Sequence, residues 1–203
     1  MNRTDIILDD VQREVELAGR SHADCVYLND ISFTIERNSY AVPTNADSPG
    51  AALDVGWFFA AAERGMIIPH PAPDQSFWLR KFGRDAYPYG YNWNLPYLLE
   101  NIHYPDSWRR CVLYNPMIAD EPPCVLCYQF HPNGDYLDIT ATMRSSDVYG
   151  ILPQDVTMTD LILKRIAEPA GLRPGALTFN IGNAHAYYSD MEYVEEFTLD
   201  WGD

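Results

Sequence analysis

The stretch from Cys124 to Met143 reads as a β-hairpin, and it decides where the chemistry of this chain sits. Asn133-Gly134 is the strongest short hairpin signal present, because a type I′ turn needs φ > 0 at both central positions. Before it, Cys124-Val-Leu-Cys-Tyr-Gln-Phe130 is apolar and aromatic; after it, Tyr136-Leu-Asp-Ile-Thr-Ala-Thr-Met143 alternates and is rich in β-formers. With Asn133 and Gly134 as the two loop residues, facing positions sum to 267. That register sets Cys124 opposite Met143 and beside Arg144. A thiol next to a guanidinium carries more thiolate at neutral pH, which is what a nucleophile needs.

The rest of the chain predicts helices and strands that are mixed and do not strictly alternate. Residues 4–18 predict a capped amphipathic helix with Ile7, Val11 and Val15 on one face. Residues 27–37 predict a strand, and 49–65 a buried helix with Pro49 near its start and Gly65 stopping it. Residues 66–86 are Pro-rich and irregular. A short helix is expected over 95–102, a strand over 111–114, a helix over 156–167 and a long strand over 176–187. This pattern implies an α+β fold with a large, mostly buried mixed sheet. No repeat or linker divides the chain, so residues 1–203 are expected to form a single domain.

Charge narrows the function. The formal net charge is −15, with only 14 Lys and Arg, which argues against bulk binding of nucleic acid or an anionic membrane. It also makes clustered arginines conspicuous. No apolar run is long enough for a membrane helix, and the N-terminus does not read as a signal peptide. Cys25, Cys111, Cys124 and Cys127 lack the spacing of a secreted disulfide scaffold, so a reducing cytoplasm is expected. Cys124-Val-Leu-Cys127 is a CxxC, a redox or half-zinc pattern taken alone. No second CxxC or paired His follows, and alternation puts the two thiols on opposite faces of a strand, so no metal site is expected. Cys127 then reads as core, and Cys25 and Cys111 as small buried hydrophobes. His22, His70, His103 and His131 have no evident partners. Trp57 and Phe58 read as core.

From about residue 31 to 188 the chain resembles the thymidylate synthase family, which includes pyrimidine-nucleotide hydroxymethylases. The resemblance is carried by Pro123-Cys124, Gln129-Phe130, Arg144-Ser145-x-Asp147, Pro153-x-Asp155 and His185-x-Tyr187. The intervals from Cys124 to Arg144, Arg144 to Asp155 and Asp155 to His185 are 20, 11 and 30 residues, and they match the family without gaps. Weaker matches are Pro88-Tyr89-Gly90 with Trp93, Asp106-Ser-Trp-Arg109-Arg110, and Asp54 in place of a family Glu of the proton-relay network. Gly19-Arg20-Ser21 is similar to a further phosphate loop, on poor flanks.

The resemblance implies a sheet with helices on one side, paired sheet to sheet in a homodimer. It implies Cys124 as the nucleophile that adds to C6 of a pyrimidine nucleoside monophosphate, with Asp54, Tyr89 and Asp155 in catalysis. Arg20, Arg144, Ser145 and the partner chain's pair, equivalent to Arg109 and Arg110, would hold phosphate, and Ser146 would bind substrate. Gln129, Asp147 and Asp155 would meet the nucleotide, and His185 and Tyr187 the sugar 3′-hydroxyl. The implied cofactor is 5,10-methylenetetrahydrofolate, with Asp147 and Trp78 as contacts; Trp78 reads equally as core.

Three departures from the family pattern shape the expected reaction. Asp155 stands where the synthases carry Asn; within the family, Asp at this place goes with cytosine nucleotides. On residue type alone, Asp155 also reads as an ordinary acidic residue at a helix start. Only residues 188–203 follow the His-x-Tyr strand, where the synthases have a tail that closes over folate. An open site admits water and leans toward a hydroxymethyl product. Val125 replaces the family His after the nucleophile, which weakens the proton relay. The expected activity is therefore folate-dependent C5 hydroxymethylation of dCMP. The rivals are a tail-less thymidylate synthase acting on dUMP, a CMP hydroxymethylase of antibiotic biosynthesis, and a non-catalytic nucleotide-binding relative.

Overall fold

A computed structural model describes residues 2–63, 77, 80, 95–102, 111–114 and 124–191. In chain order the elements are α1 (Arg3–Ala18), β1 (Arg20–His22), β2 (Cys25–Ile35), α2 (Ser48–Glu63), α3 (Leu95–Asn101), β3 (Val112–Tyr114), β4 (Val125–Asn133), β5 (Tyr136–Met143), β6 (Ser146–Asp147), α4 (Leu152–Ala167) and β7 (Arg173–Tyr187). The strands form one sheet in the order β1-β2-β7-β5-β4-β3, with β6 also on β7. β7 runs parallel to β5 and β6 and antiparallel to β2, so the sheet is mixed and the α+β expectation holds. Among the described residues no helix is long and apolar enough to cross a membrane.

The helices cover one face. α1 begins one residue earlier than the sequence suggests, because Asn2 is its cap: Asn2 and Asp5 exchange side-chain and backbone bonds in a capping box. Thr4 is not the cap but a buried residue whose hydroxyl accepts from Ala41 N at 2.9 Å. Leu8, Val11 and Val15 are the buried stripe of α1, with Ile7 at its margin. They join Phe130, Ile139, Phe179 and Ile181 of the sheet and Val156, Leu163 and Ile166 of α4 in one core. α4 starts at Leu152, four residues before the expected place, with a proline in its first turn. Its N-terminal half is buried all round, because it is packed against both the sheet and α2. Gln154 ties the two helices together, accepting from Asp47 N at 3.0 Å and donating to Asp47 O at 3.3 Å.

The opposite sheet face is polar. Ser32 donates to Asn180 across β2 and β7, and the Thr34 and Thr178 hydroxyls are paired beside them. Thr140, Thr142 and Gln129 continue this row through β5 and β4 by register. Cys127 belongs here: it is half-buried opposite Thr142, while Tyr128 and Phe130 point into the core. The expectation that Cys127 is core is therefore corrected, because alternation from Phe130 assigns it to the other face. Cys25 is also only half-buried, its thiol donating to His22 O; Cys111 is fully buried as expected.

The hairpin forms, with a shifted register. Its loop is Gly134-Asp135, and Asn133 faces Tyr136. Only Gly134 has positive φ, +62°, while Asp135 does not. That is the type II′ choice, with glycine at the first loop position, and not the type I′ turn expected. The pairing slips once more between Val125 and Cys127, so Val125 faces Met143. Cys124 consequently lies across from Arg144, not Met143, and Arg144 N donates to Cys124 O at 2.8 Å.

A turn-over in the β2–β7 pair prepares the site. Ile31, Phe33 and Ile35 face Ile181, Phe179 and Leu177 on the core side. Beyond Asp30 and Gly182 the burial parity reverses: Val26 with Ala186, and Ala184, become the core side. Asp30 takes φ +60°, a left-handed value that an Asp tolerates better than most residues. The reversal releases His185 and Tyr187 from under the helices onto the polar face. Gly182 faces the end of β5, where a Cβ would stand 3.1 Å from Arg144 O.

Candidate active site

The Cys124 thiol sits at the mouth of β4, half-buried. Arg144 follows β5 directly, across from it. Between their side chains stands Ser145, whose hydroxyl accepts from Arg144 Nη1 at 2.9 Å and lies 3.9 Å from Cys124 Sγ as its donor. One hydroxyl has a single proton and two lone pairs, so it can accept and donate at once. A guanidinium–hydroxyl–sulfur chain is an arrangement that favours negative charge on sulfur.

The next two residues diverge. Ser146 and Asp147 form β6, pairing with Ala184 and His185. Ser146 shares the face of Ala184 and is fully buried beneath the helices; Asp147 shares the face of His185. Asp147 Oδ1 accepts from Tyr149 N at 3.1 Å and Gly150 N at 2.9 Å, an Asx turn that starts the descent into α4. Val148 N donates to His185 O at 2.9 Å and locks this loop to β7.

Asp155 is in the first turn of α4 and only 3% exposed. Burial pushes its carboxyl up to about 8; the Ser146 hydroxyl opposes that shift and the Asp147 charge adds to it. The helix N-terminus, which favours an anion, does not overcome the loss of water. At neutral pH the group is therefore mainly the neutral acid. Asp155 Oδ2 and Ser146 Oγ are both buried with no partner within hydrogen-bonding distance. The Ser146 hydroxyl is near enough to bear on the Asp155 carboxyl. Tyr128 of β4 lies close by in the core, its phenol pushed up by burial and by Asp155.

A second row runs across the sheet. Arg20 faces Tyr27, Tyr27 faces His185, and His185 faces Asp147. His185 and Tyr187 rings meet edge to face at 5.4 Å, and His22 and Tyr27 at 6.5 Å. Burial, and then the Asp147 charge, push the Tyr187 phenol up. Arg20, Asp147, His185 and Tyr187 are thus brought to one end of one face. Tyr27, missed in the sequence, joins them. Its signal was its place in a strand, but only the three-strand register aligns it with Arg20 and His185.

Other expected site residues stand elsewhere. Gln129 is on the polar face opposite Thr140, five residues along the strand from Cys124, about 17 Å at the usual rise. The fold does not bring it to the thiol. Asp54 is 1% exposed on α2, and its Oδ2 accepts from Phe77 N at 3.0 Å. Trp78, Tyr89, Arg109 and Arg110 lie outside the described residues, as do His70, His103 and the side chains of Trp57 and Phe58. His131, expected to lack a partner, meets the Thr140 hydroxyl at 3.3 Å. Among the described residues no three His, Cys, Asp or Glu side chains are grouped to hold a metal ion.

Compared with known protein families, residues 94–199, just over half of the chain, match the family model described as Thymidylate synthase. The match takes in Cys124, Arg144, Ser145, Asp147, Asp155, His185 and Tyr187. Arg20, Tyr27 and Asp54 precede it.

Proposed function

This chain belongs to the thymidylate synthase family, and we propose that within it the protein is a deoxycytidylate 5-hydroxymethylase. The family transfers a one-carbon unit to C5 of a pyrimidine nucleotide, and its members use methylenetetrahydrofolate. The observation that carries the cytosine reading is Asp155, a buried carboxyl that is neutral near pH 7 and has an uncommitted oxygen. A carboxylic acid offers one donor and one acceptor. Cytosine takes that pair when the proton stands on the oxygen facing N3: its N3 accepts and its N4–H₂ donates. In the synthases an Asn amide instead donates to uracil O4 and accepts from N3–H.

The chain's own residues supply the covalent step. Cys124 sulfur bonds to C6, and the C5–C6 electron pair moves to C5, which becomes the nucleophile. Loss of the C5 proton and expulsion of Cys124 restore the double bond. Arg144 and Ser145 favour the thiolate and, with Arg20 and the partner chain's arginine pair, bind phosphate by charge-assisted bonds. His185 and Tyr187 bond the sugar. Asp147 fits the folate: with Oδ1 committed to two loop amides, Oδ2 is left to accept from a pterin's N–H groups. When bound, that cofactor supplies the one-carbon unit at the formaldehyde level.

The test is competition between dCMP and dUMP, with products identified by mass. Wild type is expected to prefer dCMP by roughly tenfold or more, since an unpaired buried polar group costs about 1–3 kcal/mol. Asp155→Asn is expected to reverse the preference. An unchanged ratio returns the reading to a synthase acting on dUMP, and conversion of CMP above dCMP favours the ribonucleotide enzyme.

A further inference from the structure

A neutral carboxylic acid does not choose between the pyrimidines by itself. With its proton on one oxygen it donates to cytosine N3 and accepts from N4–H₂. With the proton on the other oxygen it donates to uracil O4 and accepts from N3–H. Something beside Asp155 must therefore fix which oxygen carries the proton.

We infer that Ser146 is that positioning residue: its hydroxyl, donated to one oxygen of Asp155, keeps that oxygen an acceptor and places the acid proton on the other, so that cytosine fits and uracil does not. The inference rests on the reading that Asp155 faces the base. Its ground is geometric. Ser146 Oγ and Asp155 Oδ2 are two buried polar atoms, each without a partner, and the Ser146 hydroxyl is near enough to bear on the Asp155 carboxyl. Ser146 is 1% exposed and Asp155 3%, so water does not satisfy them cheaply. β6 fixes Ser146 from one side, by its pairing with Ala184 of β7. The first turn of α4 fixes Asp155 from the other, where Asp155 N donates to Ile151 O at 3.0 Å. These two orphaned groups are completed by a base edge that takes the acid's remaining donor and acceptor, with Ser146 donating to the acceptor oxygen. The groups facing Asp155 from other elements are Asp147 of β6 and Tyr128 of β4. Neither directs the proton: Asp147 is committed through Oδ1 to the Tyr149 and Gly150 amides, and the Tyr128 phenol is engaged with Thr159.

The experiment measures binding of dCMP and of dUMP to wild type, Ser146→Ala, Ser146→Cys and Asp155→Asn, across pH 6 to 9.5. Ser146→Cys keeps the volume and replaces a strong donor with a weak one. Ser146→Ala and Ser146→Cys are both expected to lower the dCMP-to-dUMP affinity ratio by about tenfold, chiefly by improving dUMP binding. In wild type the dCMP preference is expected to fall as pH rises past about 8, where the acid ionises. A ratio that survives both serine variants but changes in Asp155→Asn overturns the role of Ser146 and leaves the base reading standing. A ratio changed by Ala and not by Cys assigns the effect to packing and also overturns it. No change in any variant, Asp155→Asn included, removes the base reading itself.

Discussion

Cys124 and Arg144 face each other just beyond the Val125–Met143 end of the β4–β5 ladder, joined by a backbone bond of 2.8 Å from Arg144 N to Cys124 O. Their side chains meet through the Ser145 hydroxyl. The ladder thus sets the two backbones opposite each other, and the Ser145 hydroxyl bridges their side chains.

Removing the sulfur tests the nucleophile. Cys124→Ala is expected to abolish turnover and any covalent nucleotide adduct, while nucleotide affinity stays within a few-fold of wild type. Mass spectrometry of the denatured complex reads the adduct, and calorimetry the affinity. Turnover near the wild-type rate in the Ala variant would remove Cys124 from the mechanism.

The Ser145 relay predicts a reactivity change without loss of the thiol. Ser145→Ala deletes one donor to sulfur, worth about 1 kcal/mol. Alkylation of Cys124 by iodoacetamide at neutral pH is expected to slow roughly five-fold, as thiolate is lost. Circular dichroism should be unchanged. An unaltered alkylation rate would mean that Ser145 does not stabilise the charge.

Much of this was legible in the sequence, for a physical reason. Alternating β-formers around a glycine turn encode a hairpin locally, and motifs at fixed intervals encode the order of site groups along it. Sequence did not locate the loop, because Gly134 takes positive φ alone and Asp135 needs none. It did not reveal the turn-over at Asp30 and Gly182, since a three-residue break in alternation leaves no periodic trace. β1 and β6 are too short to carry a period. The neutral state of Asp155 was hidden most completely. Residue type marks a helix start, whereas the group's protonation depends on its burial and then on Ser146 and Asp147, which only the fold collects around it. Gln129 shows the converse: it shares a strand with Cys124, but its motif match did not encode its separation from the thiol.

Two glycines separate site geometry from stability. A Cβ at Gly182 would press on Arg144 O at 3.1 Å, so Gly182→Ala must displace the end of β5. Turnover is expected to fall several-fold, with about 1 kcal/mol of stability lost. Gly134 has φ +62° and open space around it, so Gly134→Ala is expected to cost about 1 kcal/mol with turnover unchanged. Equal losses of turnover in the two variants would show that Gly182 has no special bearing on Arg144.

If the arginine pair acts across a dimer, defects in different residues complement. Mixing a Cys124→Ala chain with an Arg110→Ala chain leaves each mixed dimer one site with both groups intact. Activity is expected to return toward one working site per mixed dimer, read after refolding the mixture and purifying the heterodimer by tags. Folded heterodimers with no activity would place the arginines in their own chain's site.

The protonation of Asp155 also predicts a dependence of stability on pH. Its folded-state value, about 8, lies above the unfolded carboxylate value of 3.8. Below about pH 4 both states hold the proton, and the shift has no effect on their difference. Between about 4 and 8 the folded chain keeps a proton that the unfolded chain has released, so stability falls as pH rises. The slope for one such group is ~1.4 kcal/mol per pH unit. Above about 8 both states are ionised and the slope ends. Asp155→Asn keeps the shape and removes the titration. The variant is therefore expected to match wild type near pH 4 and to exceed it by a widening margin up to pH 8, measured by urea unfolding at each pH. The same substitution is expected to lower dCMP preference, a trade of stability for the choice of base. Parallel stability profiles for the two proteins would mean that Asp155 titrates as an ordinary carboxylate, and the neutral-acid account of base recognition would fall with it.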